Sequence, residues 1–184
     1  GQASQPRLRK IEKRKFKMPR PIELVIHMDA LRHNARRMRE AAAGRTLWAV
    51  CKANGYGHGL ANCLKAFSEA DGIALIDTAE VIEARRLGWT KRILLLEGFF
   101  DAEDIPVLEK LNAEPVIRNE HLIDLLAASG VKHLRCHLKV NTGMNRLGFH
   151  ASEIPAMKAR LAGIPSRYAE GYCAVDNGTG TIEV

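Results

Sequence analysis

Between residues 47 and 162 the chain repeats one pattern five times: a short apolar run, then a stretch with apolar residues at helical spacing. The apolar runs lie near 47–52, 73–77, 92–97, 114–118 and 135–141, and the helical stretches near 59–69, 79–87, 101–111, 119–128 and 151–162. Short strands alternating with helices of about ten residues predict βα units with a parallel sheet and right-handed crossovers. Binding sites in such sheets lie at the C-terminal ends of the strands. With 184 residues the chain can bury one substantial core, so a single α/β domain with appendages is expected.

Ahead of the first unit, residues 22–28 read as a short strand, and Asp29 as the cap of a helix running to about Ala43. Leu31, Ala35 and Met38 are predicted on its packed face, with Arg32, Arg36, Arg37 and Arg39 on a solvated one. Charge is concentrated further upstream. Residues 1–20 hold eight Lys or Arg against the single acid Glu12, which accounts for the whole net charge of +7 and leaves the rest formally neutral. Residues 1–17 are therefore read as a disordered or foreign basic arm. Through residues 7–20 it could engage a nucleic acid by counterion release, although a plain flexible leader is the simpler reading. Cys51, Cys63, Cys136 and Cys173 have no zinc-like spacing and sit mostly in apolar patterns, as reduced thiols of a cytoplasmic protein do. No apolar run approaches the roughly 20 residues of a membrane span.

Two segments carry chemistry. In residues 48–59, Trp-Ala-Val-Cys-Lys-Ala-Asn-Gly-Tyr-Gly-His-Gly, Lys52 ends an apolar strand and enters a glycine-rich turn. The amides at Gly55 and Gly57 and the hydroxyl of Tyr56 are offered to an anion, with a helix starting near His58. In residues 136–149, Cys-His-Leu-Lys-Val-Asn-Thr-Gly-Met-Asn-Arg-Leu-Gly-Phe, strand alternation puts His137, Lys139 and Asn141 on one face. A buried Lys139 needs pairing, neutralisation or modification, and Arg146 beyond the Gly143 turn is a candidate anion partner. Lys139 snorkelling at a sheet edge and Arg146 as an ordinary loop charge are the plainer alternatives.

Together these segments resemble the cofactor-lysine signature and second motif of the alanine racemase family, the fold-type III enzymes that use pyridoxal phosphate. The resemblance runs from Met18 to about Ile164. It implies that Lys52 bonds covalently to the cofactor and serves as one of two catalytic bases, and that Tyr56 contacts the cofactor phosphate. It further implies a carbamylated Lys139 and an Arg146 that contacts the cofactor phenolic oxygen or the substrate carboxylate. Asn141 departs from the acid common there. A lysine near pKa 10.4 is neutral in only about one molecule in 2,500 at pH 7, so Lys52 needs a desolvated or electropositive setting for this role.

By the same resemblance the fold is a truncated eight-stranded βα barrel. Five units would leave an open, half-barrel sheet, completed by a homodimer or strand-swapped oligomer. Residues 165–184 do not read as a sixth unit and are expected to be a tail foreign to the family, as in a truncated gene fragment. The opposing base of the racemases and most of their phosphate contacts then have no counterpart. The expected function is a residual pyridoxal phosphate or phosphate site for a small phosphorylated or amino-acid ligand, with little or no racemase activity. The alternative is a phosphodiester hydrolase acting on RNA or small phosphoesters, with His137, Lys52 and Arg146 catalytic and Asp77, Glu97 and His137 able to hold a divalent metal. An inert fragment or a pyridoxal phosphate carrier is the third reading.

Overall fold

The computed structural model describes residues 23–164 and the backbone of 172–174. Six strands, β1 (Trp48–Val50), β2 (Gly72–Leu75), β3 (Arg92–Leu95), β4 (Glu114–Ile117), β5 (His137–Val140) and β6 (Tyr172–Ala174), form one sheet in the order β1-β2-β3-β4-β5-β6. Every neighbouring pair is parallel. Among the described residues β1 and β6 do not pair with each other, so the sheet is open. The five predicted βα units and the unclosed barrel architecture are all present.

Helices α3 (Leu60–Ala66), α4 (Thr78–Arg86), α5 (Asp104–Lys110), α6 (Glu120–Ser129) and α7 (Ile154–Ala162) follow β1 to β5 in turn. Their apolar stripes meet Ile73, Leu75, Ile93, Leu95, Ile117, Leu138 and Val140 in one continuous core on the outer sheet face. The opposite face holds a smaller cluster, with Ala74, Leu94 and Val116 packed beside Trp48 and Leu96. Side-chain alternation along each strand divides the residues between these two layers.

The loops opposite the strand C-termini are held by Arg85. Its guanidinium donates to the carbonyls of Leu111 (2.9 Å), Trp89 (2.6 Å), Lys91 (2.7 Å) and Asn112 (3.1 Å), tying the ends of α4 and α5 together. Arg85→Ala removes all four bonds, those to Leu111 and Trp89 part-buried, and is expected to cost about 2 kcal/mol, measurable as a lower urea midpoint with an unchanged slope.

Three expectations need correction. Residues 23–27 form no strand: they have no ladder partner among the described residues, and Leu24 and Val25 are exposed. Helix α1 (Met28–Ala42) starts one residue before Asp29, with His27 at its N-cap. Asp29 pairs with Arg32 within the first turn (3.1 Å) instead of capping. Met38 is 59% exposed, and Arg39 takes the inward position, donating to the Glu69 carbonyl (2.8 Å) and Asp71 (2.9 Å). Finally, the stretch read as a foreign tail contains β6, whose backbone pairs Tyr172 with Leu138 and Ala174 with Val140. Tyr-Cys-Ala is too short a run for periodicity to distinguish from a loop. The basic arm and residues 175–184 lie outside the described residues.

Candidate active site

At the C-terminal end of β1 the chain leaves the sheet through an unusual turn. Ala53, Asn54, Gly55 and Tyr56 have φ of 52°, 53°, 64° and 52°, a single left-handed turn, α2 (Lys52–Tyr56), headed by Lys52. Left-handed backbone costs about 1–2 kcal/mol per non-glycine residue, so the surroundings must hold it. The Cys51 carbonyl accepts from Gly55 N (2.8 Å), the Ala53 carbonyl from Gly57 N (3.3 Å) and the Asn54 carbonyl from Gly59 N (2.9 Å). The Asn54 side chain accepts from Leu60 N (2.8 Å), fixing the start of α3. A β-carbon at Gly55 would lie 2.3 Å from Cys63 Sγ, so only glycine fits.

This overturns one detail of the sequence reading. The amides of Gly55 and Gly57 close the turn on itself and do not point outward to a phosphate. The turn projects two side chains instead: Lys52, half-buried, and Tyr56, 60% exposed. Beneath them Cys51 and Cys63 are buried with their thiols hydrogen-bonded. Burial, then the neighbouring Cys63 and Glu80, pushes the Cys51 thiol up to about 12, so it stays protonated and inert.

The second motif also folds as a site. Lys139, 6% exposed, lines one small depression with Asn141, Thr142, Met144 and Arg146. The loop is closed by Asn141, whose side-chain oxygen accepts from Gly143 N (3.1 Å) and Asn145 N (3.1 Å). It returns beside β5, where Phe149 N donates to the Lys139 carbonyl (2.9 Å). Gly148, at φ 105°, packs directly on Lys139: a β-carbon there would be 3.0 Å from both its Cγ and its carbonyl oxygen.

His137 takes a different part from the catalytic one expected of it. Its Nε2 is 2.7 Å from Glu114 Oε2, and its ring meets Trp48 edge-on at 6.1 Å, beside the first residue of β1 and not the last. Arg92 donates to both Glu114 oxygens (2.7 and 2.6 Å) and lies 4.7 Å over the Trp48 ring. Burial raises the Glu114 carboxyl, but the hydrogen bonds and charges of Arg92 and His137 outweigh it and bring it down to about 2. The metal set Asp77, Glu97 and His137 is likewise not assembled. Among the described residues no group of His, Cys, Asp and Glu is placed to hold an ion, and Asp77 is engaged as the cap of α4, accepting from Glu80 N (2.8 Å).

The described side chains thus offer an amine at a strand end, a nearby phenol, and a buried lysine beside an arginine. A phosphorylated aldehyde cofactor fits that donor set: the amine can bond its aldehyde, and the cations and hydroxyl can meet its oxygens. The family sequence model described as alanine racemase, N-terminal domain, matches residues 26–174. The chain belongs to the alanine racemase family. Alanine racemases of Delftia acidovorans and Variovorax paradoxus are 46% and 45% identical to it over 149 residues, 80% of this chain and 41% of each relative. The biosynthetic alanine racemase of Pseudomonas aeruginosa superposes with a TM-score of 0.71 at 37% identity, covering 75% of this chain and 39% of that one. That of E. faecalis gives 0.72 at 28% identity, covering 81% and 42%. The chain therefore spans about two fifths of the length of the alanine racemases it matches.

Sequence reasoning missed two features of this racemase-type domain. One is the Arg92–Glu114–His137 cluster, whose members lie 22 and 23 residues apart and show no local pattern. The other is Glu80, which binds the Lys52 turn. Its signal was present as Asp77-Thr78-Ala79-Glu80, the spacing of a capping box.

Proposed function

We propose that this chain is the cofactor-lysine portion of a pyridoxal phosphate-dependent amino-acid racemase, with Lys52 as the residue that bonds the cofactor. The observation that carries this is Lys52 at the head of the left-handed turn where β1 ends, the end at which βα sheets place their chemistry. Pyridoxal phosphate supplies an electron sink that stabilises negative charge at the substrate α-carbon. Lys52 holds the group and moves the α-proton on its own side. Tyr56 presents its hydroxyl to the phosphate, and Arg146 holds the phenolic oxygen or the substrate carboxylate beside Lys139. A carbamate on Lys139 would give Arg146 an anionic partner and fix its orientation.

Racemisation needs a base on each face of the α-carbon, and we place the second base outside the described residues. By itself this stretch then binds the cofactor and interconverts little or no alanine. We further propose self-association as a homodimer: among the described residues β1 and β6 are open edges, and Val50, on the inner face, is 42% exposed. Nothing in the described residues favours the phosphodiester reading, since its metal set is not assembled and His137 is engaged with Glu114. Among the described residues no helix is long and apolar enough to cross a membrane.

The test uses borohydride to trap pyridoxal phosphate on the protein. Peptide mass spectrometry is expected to find the label on Lys52, and Lys52→Ala to remove the visible absorbance of the complex. Equal labelling of surface lysines, with Lys52 unmodified, would sink this reading.

A further inference from the structure

We propose that Glu80 is the positioning residue of Lys52. The inference deepens the cofactor-site reading above and rests on it for the role of Lys52.

The geometry lies where β1 parts from β2. Cys51 N still donates to the Ala74 carbonyl (2.9 Å), as a parallel ladder requires, and the next rung would join Ile76 N to the Cys51 carbonyl. That carbonyl is already taken by Gly55 N, which closes the left-handed turn (2.8 Å). The turn that presents Lys52 therefore strips Ile76 of its ladder partner. Glu80 supplies the replacement: Oε2 accepts from Ile76 N (3.1 Å), while Oε1 accepts from Asn54 N (3.2 Å), inside the turn. One carboxylate thus splices the broken ladder and grips the strained segment two residues beyond Lys52.

The carboxylate is itself held. Glu80 is in the first turn of α4, and its own amide donates to Asp77 Oδ1, so backbone and side chain are both fixed from the helix. Asp77 and Glu80 have capping-box spacing, in which the glutamate would reach back to the cap residue's own amide. Here it reaches one residue further, to Ile76, and across to Asn54. Asn54 is the hub of the turn, since its carbonyl and side chain also hold Gly59 and Leu60. Losing Glu80 would free the amide of that hub and the end of β2 together, and Lys52 would lose its fixed aim without any contact to its own side chain.

The experiment compares wild type, Glu80→Ala and Glu80→Gln by amide hydrogen exchange and by borohydride trapping of pyridoxal phosphate. In Glu80→Ala, amides of residues 53–60 are expected to exchange about tenfold faster, while those of β3 and α5 keep wild-type protection. Label on Lys52 is expected to fall about fivefold relative to label on Lys65, a ratio that a general loss of stability would not change. Glu80→Gln keeps one acceptor oxygen and should fall between; it decides the matter if the alanine variant does not fold. Wild-type exchange across residues 53–60 in either folded variant overturns the proposal. If wild-type protein takes no label on Lys52 yet Glu80→Ala still frees the turn, the cofactor reading fails and the positioning role of Glu80 stands.

Discussion

Glu114→Ala should be among the most damaging single substitutions in this protein, lowering stability by about 3–5 kcal/mol. Glu114 is 4% exposed and receives both arms of the Arg92 guanidinium together with His137 Nε2. Removing it strips the part-buried Arg92 beside Trp48 of its hydrogen-bonded carboxylate, which costs far more than the pair itself is worth. Arg135 is a built-in contrast. Its Nη1 is 3.9 Å from the same carboxylate but its side chain is 47% exposed, so Arg135→Ala should cost under about 1 kcal/mol. Urea unfolding at neutral pH separates the two, and equal effects would show that the cluster does not act as a buried unit.

The same residue sets an acid limit. The Glu114 carboxyl goes from an ordinary value of 4.5 to about 2 in the folded state, so the folded form holds its proton less tightly than the unfolded form. The resulting stability, about 3 kcal/mol, is fully present above pH 4.5 and is lost as pH falls toward 2. Acid titration followed by circular dichroism should show this loss in wild type and its absence in Glu114→Gln.

Gly55→Ala should be nearly as severe and should strike the site directly. Its β-carbon would fall 2.3 Å from the Sγ of buried Cys63, at a φ of 64° that alanine resists. Overpacking and backbone strain together are expected to cost about 3 kcal/mol and to abolish trapping of pyridoxal phosphate on Lys52. Cys63→Ala combined with Gly55→Ala removes the clash but not the strain. The double variant should recover about half of the loss, a coupling readable from a double-mutant cycle. Strict additivity would mean that Cys63 is not what excludes a side chain at Gly55.

How much of this could be read in the sequence depends on range. The βα alternation is a local signal, and it placed β1 to β5 because buried strands in a parallel sheet are continuous apolar runs such as Ile-Leu-Leu-Leu at 93–96. Lys52 stood out for the same reason, as a charge ending such a run. Lys139 and Arg146 line one depression because both belong to one strand and its loop. The left-handed turn was not legible: Asn54 tolerates a positive φ but nothing marks Ala53 or Tyr56 for one, and the glycines that follow at 55, 57 and 59 were enough to explain a bend. Glu114 and His137 were unreadable as a pair, because a carboxylate and an imidazole on adjacent strands meet only through register. The segment 23–27 misled for the opposite reason. Its apolar residues have strand character, but character alone provides no partner.

The strand order has a consequence for how the chain is made. Because β1 to β6 lie side by side in the sequence in which they are synthesised, each strand that leaves the ribosome finds its neighbour already in place. No gap has to be kept open for a segment translated later, and each new βα unit can dock with only a short loop to close. Among the described residues the outer edge of β1 is unpaired from the moment it is made, and that of β6 from the moment it docks. The strand that delivers Lys52 is therefore among the first parts of the sheet to exist and carries a free edge for longer than any other described strand, so nascent copies on one message would be most exposed to each other there.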